Sequence, residues 1–342
     1  MSAKLQKQAA HEASPLAFLS RQFVQTVPPI PSSVDLSGQT ALVTGSNVGL
    51  GLECARQLLS LNLSHLIIAV RSQVKGDAAA STLRAEFPTA QISVSLVDMS
   101  SPRSVAAFAK RCEALPRLDA AVLNAGLSRP RFERAAETGH EMTFQVNYLS
   151  TALLALLLLP ILKAKRGTAA PAHLALVGSD AAYWAGWADA DCGAVFDVVD
   201  AAAGFASMAA YKTSKLLLLM FADKLGQVVS ADDVVVNVPN PGACKGTAFG
   251  ADNPSRFQRF MFQFMASIMA RPVAVGARQY VDAVVAKGAE SHGGFVSEGR
   301  VKPFPVIMYE DAGRKVQEML WQETLKEVAF IDPSRILAGL VE

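Results

Sequence analysis

Tyr211 and Lys215 stand four residues apart in the stretch AAYKTSKLLLLMFADKL. Four residues is about one helical turn, so both side chains leave the same face of a helix. A phenol releases its proton only near pH 10, which makes it a poor acid-base group at neutral pH. An ammonium held beside it favours the phenolate and lowers that value. The pair can then give a proton to a reacting oxygen or take one from it. A tyrosine and a lysine at this spacing also describe an ordinary helix surface contact, and the segments upstream decide between the two.

Residues 39–44 read as a short, buried, β-branched strand. Gly45, Gly49 and Gly51 follow, and an apolar-periodic helix runs from there to about residue 60. Strand, glycine-rich turn and helix form the setting that a dinucleotide-binding loop requires. The glycines permit a tight turn and a close approach of backbone to pyrophosphate. The helix N-terminus adds unpaired N–H groups and a partial positive charge. Arg71 stands directly after the next strand-like run, about 20 residues beyond Gly51, where such a fold reads the adenosine ribose. No Asp or Glu stands at that strand end to take a free 2′-hydroxyl, whereas an arginine suits a 2′-phosphate. NADP(H) is therefore expected over NAD(H); a plain surface arginine is the alternative.

These residues need a scaffold, and the chain supplies one by alternation. Strand-like runs at residues 39–44, 65–70, 91–97, 118–123, 172–178, 234–238 and 294–297 are separated mostly by helix-length segments. The pattern predicts an α/β fold, a doubly wound parallel sheet with helices on both faces and ligands at the carboxyl ends of its strands. No repeat or low-complexity linker divides it, so one domain spanning 38–303 is expected. An extension, 1–37, precedes it, and a C-terminal helical tail, 304–342, follows.

The series Thr44-Gly45-x-x-x-Gly49-x-Gly51, Asn124-Ala125-Gly126, Ser179 and Tyr211-x-x-x-Lys215 resembles, in that order, the motifs of the short-chain dehydrogenase/reductase family. The resemblance covers roughly residues 36–303. The N-terminal PLAFLSRQF and the later HGGFVSEGRVKPFP are similar to a fungal, retinol-dehydrogenase-like branch. The resemblance implies a Rossmann-type fold and a catalytic set of Asn147, Ser179, Tyr211 and Lys215. Gly45, Ser46, Asn47, Gly49, Leu50 and Gly51 would cradle the cofactor. Arg71, Asp98, Asn124, Ala125, Gly126, Tyr211, Lys215, Pro241, Gly242 and Thr247 would complete its contacts. Asn147 would help hold a water that relays protons to Lys215. By its chemistry the Ser179 hydroxyl can donate to a substrate carbonyl, although a serine at a strand end also caps turns. Asp98 precedes Ser100, Ser101 and Pro102 and fits a helix cap equally well. The family usually shows two serines where this chain has Gly178-Ser179.

Between Ser179 and Tyr211 lie 31 residues, 180–210, more than the family usually has there. The insert carries Tyr183, Trp184, Trp187 and Asp189. It reads as a substrate-facing element or as a surface elaboration. Residues 243–272 correspond to the family's substrate lid. Within them FQRFMFQFMASIM, residues 257–269, suits a greasy, adaptable pocket wall and equally a plain core helix.

A net charge of +2 gives no field of one sign, so no nucleic-acid partner is indicated. Cys54, Cys112, Cys192 and Cys244 are far apart, which points to no metal site and no disulfide framework and fits a reducing, cytoplasmic setting. The apolar run at 152–162 is too short for a membrane span and is interrupted by Pro160. No secretory signal opens the sequence. Residues 15–24 are mildly amphipathic and read as a flap packed on the domain, with a membrane surface as the alternative. The run at 152–162 reads as a buried core or subunit-interface helix, and together with 216–221 it offers pairing across a homodimer, with a monomer as the alternative. The activity expected is that of an NADPH-dependent ketoreductase or alcohol dehydrogenase acting on a small apolar carbonyl or alcohol, with a place in secondary metabolism. A non-catalytic dinucleotide sensor or scaffold is one alternative on the same fold; an isomerase, epimerase or cyclase reusing the pocket is another.

Overall fold

In the computed structural model of the chain, residues 3–167, 170–187, 193–245 and 270–341 are described. Two N-terminal helices come first, α1 (Ala3–Glu12) and α2 (Pro15–Phe23). The Ser14 hydroxyl caps α2 by accepting from the Ala17 N–H, and Pro15 suits a first turn that has no use for its missing donor. The chain then alternates: β1 (Thr40–Thr44), α3 (Gly49–Ser60), β2 (His65–Val70), α4 (Gln73–Glu86), β3 (Gln91–Leu96), α5 (Pro102–Glu113), β4 (Ala120–Leu123). There follow α6 (Met142–Lys165), β5 (Ala172–Leu176), a short 3₁₀ turn (Asp180–Trp184) and α7 (Val195–Val199). The long α8 (Ser207–Val228) carries the Tyr/Lys pair into β6 (Val234–Pro239). After α9 (Val273–Val285) come β7 (Phe295–Ser297), β8 (Arg300–Lys302), α10 (Asp311–Glu327) and α11 (Pro333–Val341).

The eight strands line up as β3-β2-β1-β4-β5-β6-β7-β8. All neighbours are parallel except β7 and β8. Because helices cover both faces, β1 is buried along its whole length. Its alternation sorts the core into two layers. Leu42 faces Val105, Phe108 and the leucines of α6 and α8. Ala41 and Val43 face Cys54, Leu58 and Val281. The strand order reverses between β1 and β4, and a crevice for ligands opens at such a point.

The short antiparallel strand β8 is an addition to the strands expected from sequence. Its tight turn holds Glu298 at φ 49 and Gly299 at φ 68, a geometry normally given to Asn-Gly or Asp-Gly. Glu298 is nevertheless tied down there. Its carboxylate accepts from Arg271 at 2.8 Å and lies 3.5 Å from the Lys302 ammonium.

The apolar run at 152–162 belongs to a helix longer than the run itself. From Met142 to Lys165 it is long and apolar enough to cross a membrane by length and composition alone, yet nearly all of it is buried inside the fold. Of the core and subunit-interface readings of 152–162 and 216–221, the structure bears out the core: both segments are buried within the chain, and its own C-terminal helices lie over them. Trp321 packs on Phe221 with ring centroids 5.6 Å apart. Tyr148 and Thr324 share a buried hydrogen bond of 2.6 Å, and Gln317 donates to the Met220 carbonyl at 2.8 Å. Burying each such apolar side chain contributes about 1.5–3 kcal/mol. Removal of residues 311–342 is therefore expected to leave a chain that aggregates on expression. A soluble, monodisperse product in size-exclusion chromatography would contradict that assignment.

Candidate functional site

The glycine loop explains itself residue by residue. Gly45 has φ +66, and a Cβ there would lie 3.1 Å from the Ala125 Cα. A Cβ on Gly51 would sit 2.5 Å from the Gly45 carbonyl oxygen and 2.6 Å from Asn124 Nδ2, so that position admits no side chain. Gly49, at φ +60, has open space instead. The Ser46 hydroxyl donates to the Val43 carbonyl at 2.7 Å and closes the turn. Asn47 remains partly exposed, and Leu50 packs on the core layer below.

The end of β4 is sewn to the same loop. Asn124 Nδ2 donates to the Thr44 carbonyl at 2.9 Å, and the Ala125 N–H donates to Thr44 Oγ1 at 2.9 Å. The Thr44 hydroxyl was not singled out from sequence, although its place at the strand end was the available signal. Gly126 lies where a Cβ would be 3.2 Å from Asn147 Oδ1.

Whether this loop fits a dinucleotide can be judged from the start of α3. Helices α4 and α5 are capped by the hydroxyls of Ser72 and Ser101. At α3 the cap position is Val48, which makes no side-chain cap hydrogen bond. The first N–H groups of α3 thus face the open side of Gly49 without a side-chain acceptor, the arrangement a phosphate group takes up. The loop fits the group. Arg71, at the carboxyl end of β2, is exposed. Asp98 Oδ1 accepts from the Ser100 N–H at 2.9 Å and the Ser100 hydroxyl at 2.7 Å, so the turn occupies that oxygen.

The four polar residues converge at the carboxyl ends of β4 and β5. Ser179 leads out of β5, and its hydroxyl accepts from the Ala181 N–H at 3.2 Å. It is also hydrogen-bonded to the Tyr211 phenol. Gly178 stands where the family usually has a serine because a Cβ would meet Val238 Cγ1 at 2.6 Å and Phe295 Cε2 at 3.2 Å. Lys215, one turn beyond Tyr211 on α8, is buried and donates to the Val177 carbonyl at 2.8 Å. Its Nζ lies 5.9 Å from the centre of the Tyr211 ring. Burial pushes the Lys215 ammonium down to about 8.

Burial also raises the Tyr211 phenol above its usual value, and the Ser179 hydrogen bond partly offsets this. The sequence-based expectation of a phenol lowered by Lys215 is corrected in this respect: desolvation dominates. Tyr211 still keeps part of its surface accessible.

Asn147 lies in a π-helical turn, Gln145–Leu149, within α6, a local expansion often found at functional sites. The Asn147 amide is fully engaged. Its Oδ1 accepts from the Leu127 N–H at 2.8 Å, and Nδ2 donates to the Leu127 carbonyl at 2.8 Å and to Ser214 Oγ at 3.1 Å. The Ser214 hydroxyl in turn donates to the Tyr211 carbonyl at 2.8 Å. A chain of hydrogen bonds thus joins the segment after β4 to the helix bearing Tyr211 and Lys215. Ser214 was missed in the sequence, where its position inside YKTSK was the one clue.

Beyond β6, Gly242 adopts φ +71 and Pro241 precedes it. The Gly242 N–H donates to Asn240 Oδ1 at 3.1 Å. Thr247 and the 257–269 segment lie outside the described residues, as does Asp189 in the insert. The insert's other aromatics dock other parts of the chain. The Tyr183 hydroxyl donates to the Pro303 carbonyl at 2.7 Å. Trp184 donates to the Ala13 carbonyl at 2.8 Å and stacks edge-on with Phe18, and Trp187 packs on the main core.

A doubly wound sheet with a glycine loop at its first crossover and a Ser/Tyr/Lys group at the end of β5 defines a dinucleotide-binding α/β protein. A family profile for short chain dehydrogenases matches residues 39–182. The chain is 46% identical over 342 residues to the short chain dehydrogenase virL of Hypocrea virens, covering 99% of each chain. It is also 46% identical to the short chain dehydrogenase opdN of Penicillium oxalicum, over 89% of this chain and all of that one (100%). Among solved structures, the RhlG/NADP active-site complex of Pseudomonas aeruginosa superposes with a TM-score of 0.55 at 25% identity, covering 77% of this chain and 95% of that one. The protein belongs to the short-chain dehydrogenase/reductase family of oxidoreductases. Both curated relatives named here are fungal, and neither is described as a retinol dehydrogenase.

Proposed function

We propose that the protein is an NADP(H)-dependent ketoreductase or alcohol dehydrogenase acting on an apolar carbonyl or alcohol. The observation that carries this reading is the Ser179–Tyr211 hydrogen bond, with the Lys215 ammonium buried beside it at the carboxyl end of the sheet. Two hydroxyls then converge where a carbonyl oxygen would sit. Ser179 orients that oxygen and stabilises charge developing on it. Tyr211, kept protonated by its raised pKa, donates the proton that turns the oxygen into a hydroxyl. Lys215 contributes positive charge beneath the phenol. Asn147 anchors the Leu127 backbone and, through Ser214, the turn that carries Tyr211. NADPH, when bound, supplies the hydride, and the fold positions it.

Residues 45–51 and the start of α3 would hold its pyrophosphate, and Asn124, Ala125 and Gly126 would border it. Asp98 would lie by the adenine, and Pro241 and Gly242 by the nicotinamide. The 2′-phosphate falls to Arg71, whose exposed guanidinium is free to meet it. The Pseudomonas aeruginosa relative is itself an NADP complex. Three buried free cysteines, Cys54, Cys112 and Cys244, accord with a reducing cytoplasm.

The deciding measurement is loss of NADPH absorbance over a panel of carbonyl substrates. Tight NADPH binding with no turnover of any of them would favour a sensor or scaffold. A product formed without NADPH consumption would favour an isomerase or cyclase.

Arg71→Ala tests the cofactor choice. A charge-assisted hydrogen bond contributes about 1.5–3 kcal/mol, so the NADPH Michaelis constant should rise about ten- to hundredfold while that for NADH barely changes. Equal use of both cofactors by the unmodified protein would contradict the assignment.

A further inference from the structure

The N-terminal helices reach the rim of the site described above. Helix α2 presents two consecutive polar residues, Arg21 and Gln22, both buried. Gln22 grips the backbone of Ala243. Its Nε2 donates to the Ala243 carbonyl at 3.0 Å, and its Oε1 accepts from the Ala243 N–H at 3.3 Å. A Cβ on the preceding residue, Gly242, would sit 2.6 Å from Gln22 Oε1. The glycine is thus what lets the helix come so close.

From Gly242 the contacts continue around a ring. The Gly242 N–H donates to Asn240 Oδ1 at 3.1 Å, and the same oxygen accepts from the Asp180 N–H at 3.1 Å. The Asp180 carboxylate follows Ser179 directly and lies 3.4 Å from the Arg21 guanidinium, so the ring closes on α2. Arg21 is 1% exposed and Asp180 4%, and neither Asp180 oxygen has a hydrogen-bond partner among the described residues. The ion pair with Arg21 is what compensates the buried carboxylate. Arg21 is fixed in turn by Glu12, which pairs with its guanidinium and accepts through its carbonyl at 2.9 Å. Tyr183 stacks beneath it at 5.4 Å.

We propose that Arg21 and Gln22 are positioning residues of the active site: they set the separation between the Ser179 turn and the 240–243 loop, and through that loop they hold the nicotinamide end of the dinucleotide. The proposal rests on the reading of Ser179, Pro241 and Gly242 given under Proposed function. It makes the N-terminal extension a working part of the site rather than a cover on the fold. It also accounts for a buried arginine and a buried glutamine on a helix that lies outside the α/β core.

Gln22→Met tests it, since methionine keeps the length and volume and removes both hydrogen bonds to Ala243. Amide hydrogen exchange in a peptide spanning residues 239–245 should quicken about tenfold or more in this variant. The dissociation constant for NADPH, by direct titration, should rise about tenfold, as the loss of one to two neutral hydrogen bonds implies. The melting temperature should move by no more than a few degrees. Gln22→Glu, which retains the acceptor for the Ala243 N–H, should fall between the two.

A filler residue would give the opposite split, a lowered melting temperature with unchanged NADPH affinity in the folded fraction, and that result overturns the proposal. So does wild-type exchange in Gln22→Met. A wild-type protein that binds no dinucleotide at all would refute the reading of the site instead. The exchange rates would still report whether Gln22 holds the loop.

Discussion

Tyr211→Phe is expected to remove carbonyl reduction while leaving the dinucleotide bound. Among the described residues the phenol is the group assigned to give its proton to the carbonyl oxygen, and general acid catalysis of this kind contributes about 10²–10⁴-fold. Phenylalanine keeps the ring on α8 and deletes only the hydroxyl bonded to Ser179. Loss of one such hydrogen bond changes stability by about 1 kcal/mol. The glycine loop, the α3 N-terminus and Arg71 are untouched and only one hydroxyl contact to the cofactor is lost, so NADPH binding by titration should stay nearly intact. Single-turnover experiments with saturating NADPH separate the two effects. Wild-type turnover in the Phe variant would remove Tyr211 from the mechanism. A loss of turnover matched by loss of NADPH binding would mean that the hydroxyl shapes the pocket rather than moves the proton.

The central sheet was legible in the sequence because its signals are local. Runs such as TALVT and HLIIAV are apolar at their centres and almost entirely buried, as strands covered on both faces are, and Gly45 and Gly51 sit where close contacts with Asn124 and Ala125 leave no room for a side chain. Ser179, Tyr211 and Lys215 were readable for the same reason, since each stands at a strand end or on one helix face. What escaped the sequence depends on residues far apart in the chain. Gln22 and Ala243 are 221 positions apart, and no spacing rule ties them. The cover that α10 and α11 place over 152–162 and 216–221 is likewise tertiary, so apolar character alone left core and subunit interface equally open there. The two-residue turn before β8 lacks the usual Asn or Asp because the Glu298 side chain is held by Arg271 and Lys302. The π-helical turn at Asn147 comes without any sequence mark. The Lys215 effect on the phenol was misjudged because pattern supplies the charge but not the burial.

That burial leads to a sharper expectation for Lys215. A fall from 10.5 to about 8 means that the folded protein resists carrying this charge, by about 3 kcal/mol at 1.36 kcal/mol for each pH unit. The folded value lies below the unfolded one. The cost is therefore fully present below pH 8, shrinks as the pH rises from 8 towards 10.5, and is absent above that. Lys215→Met removes it and leaves the Val177 carbonyl without its donor, a loss of about 1–3 kcal/mol. At pH 7 the variant should accordingly be as stable as the wild type or more so, and the difference should tilt against the variant as the pH approaches 10.5. Its reductase activity should nonetheless fall by a factor on the order of 10² or more, because the charge beneath Tyr211 is gone. The wild type should show the same dependence by titration. The kcat/KM for carbonyl reduction should hold steady through neutral pH and decline as the pH rises through about 8, where Lys215 loses its proton. Tyr211 stays protonated well beyond that point, so the alkaline limb belongs to the lysine. Thermal melts of both proteins at pH 7 and pH 10, beside the pH-rate profile, make the comparison. A Met variant that melts far below the wild type at pH 7 and keeps its activity would show that Lys215 holds the end of β5 together and takes no part in the chemistry.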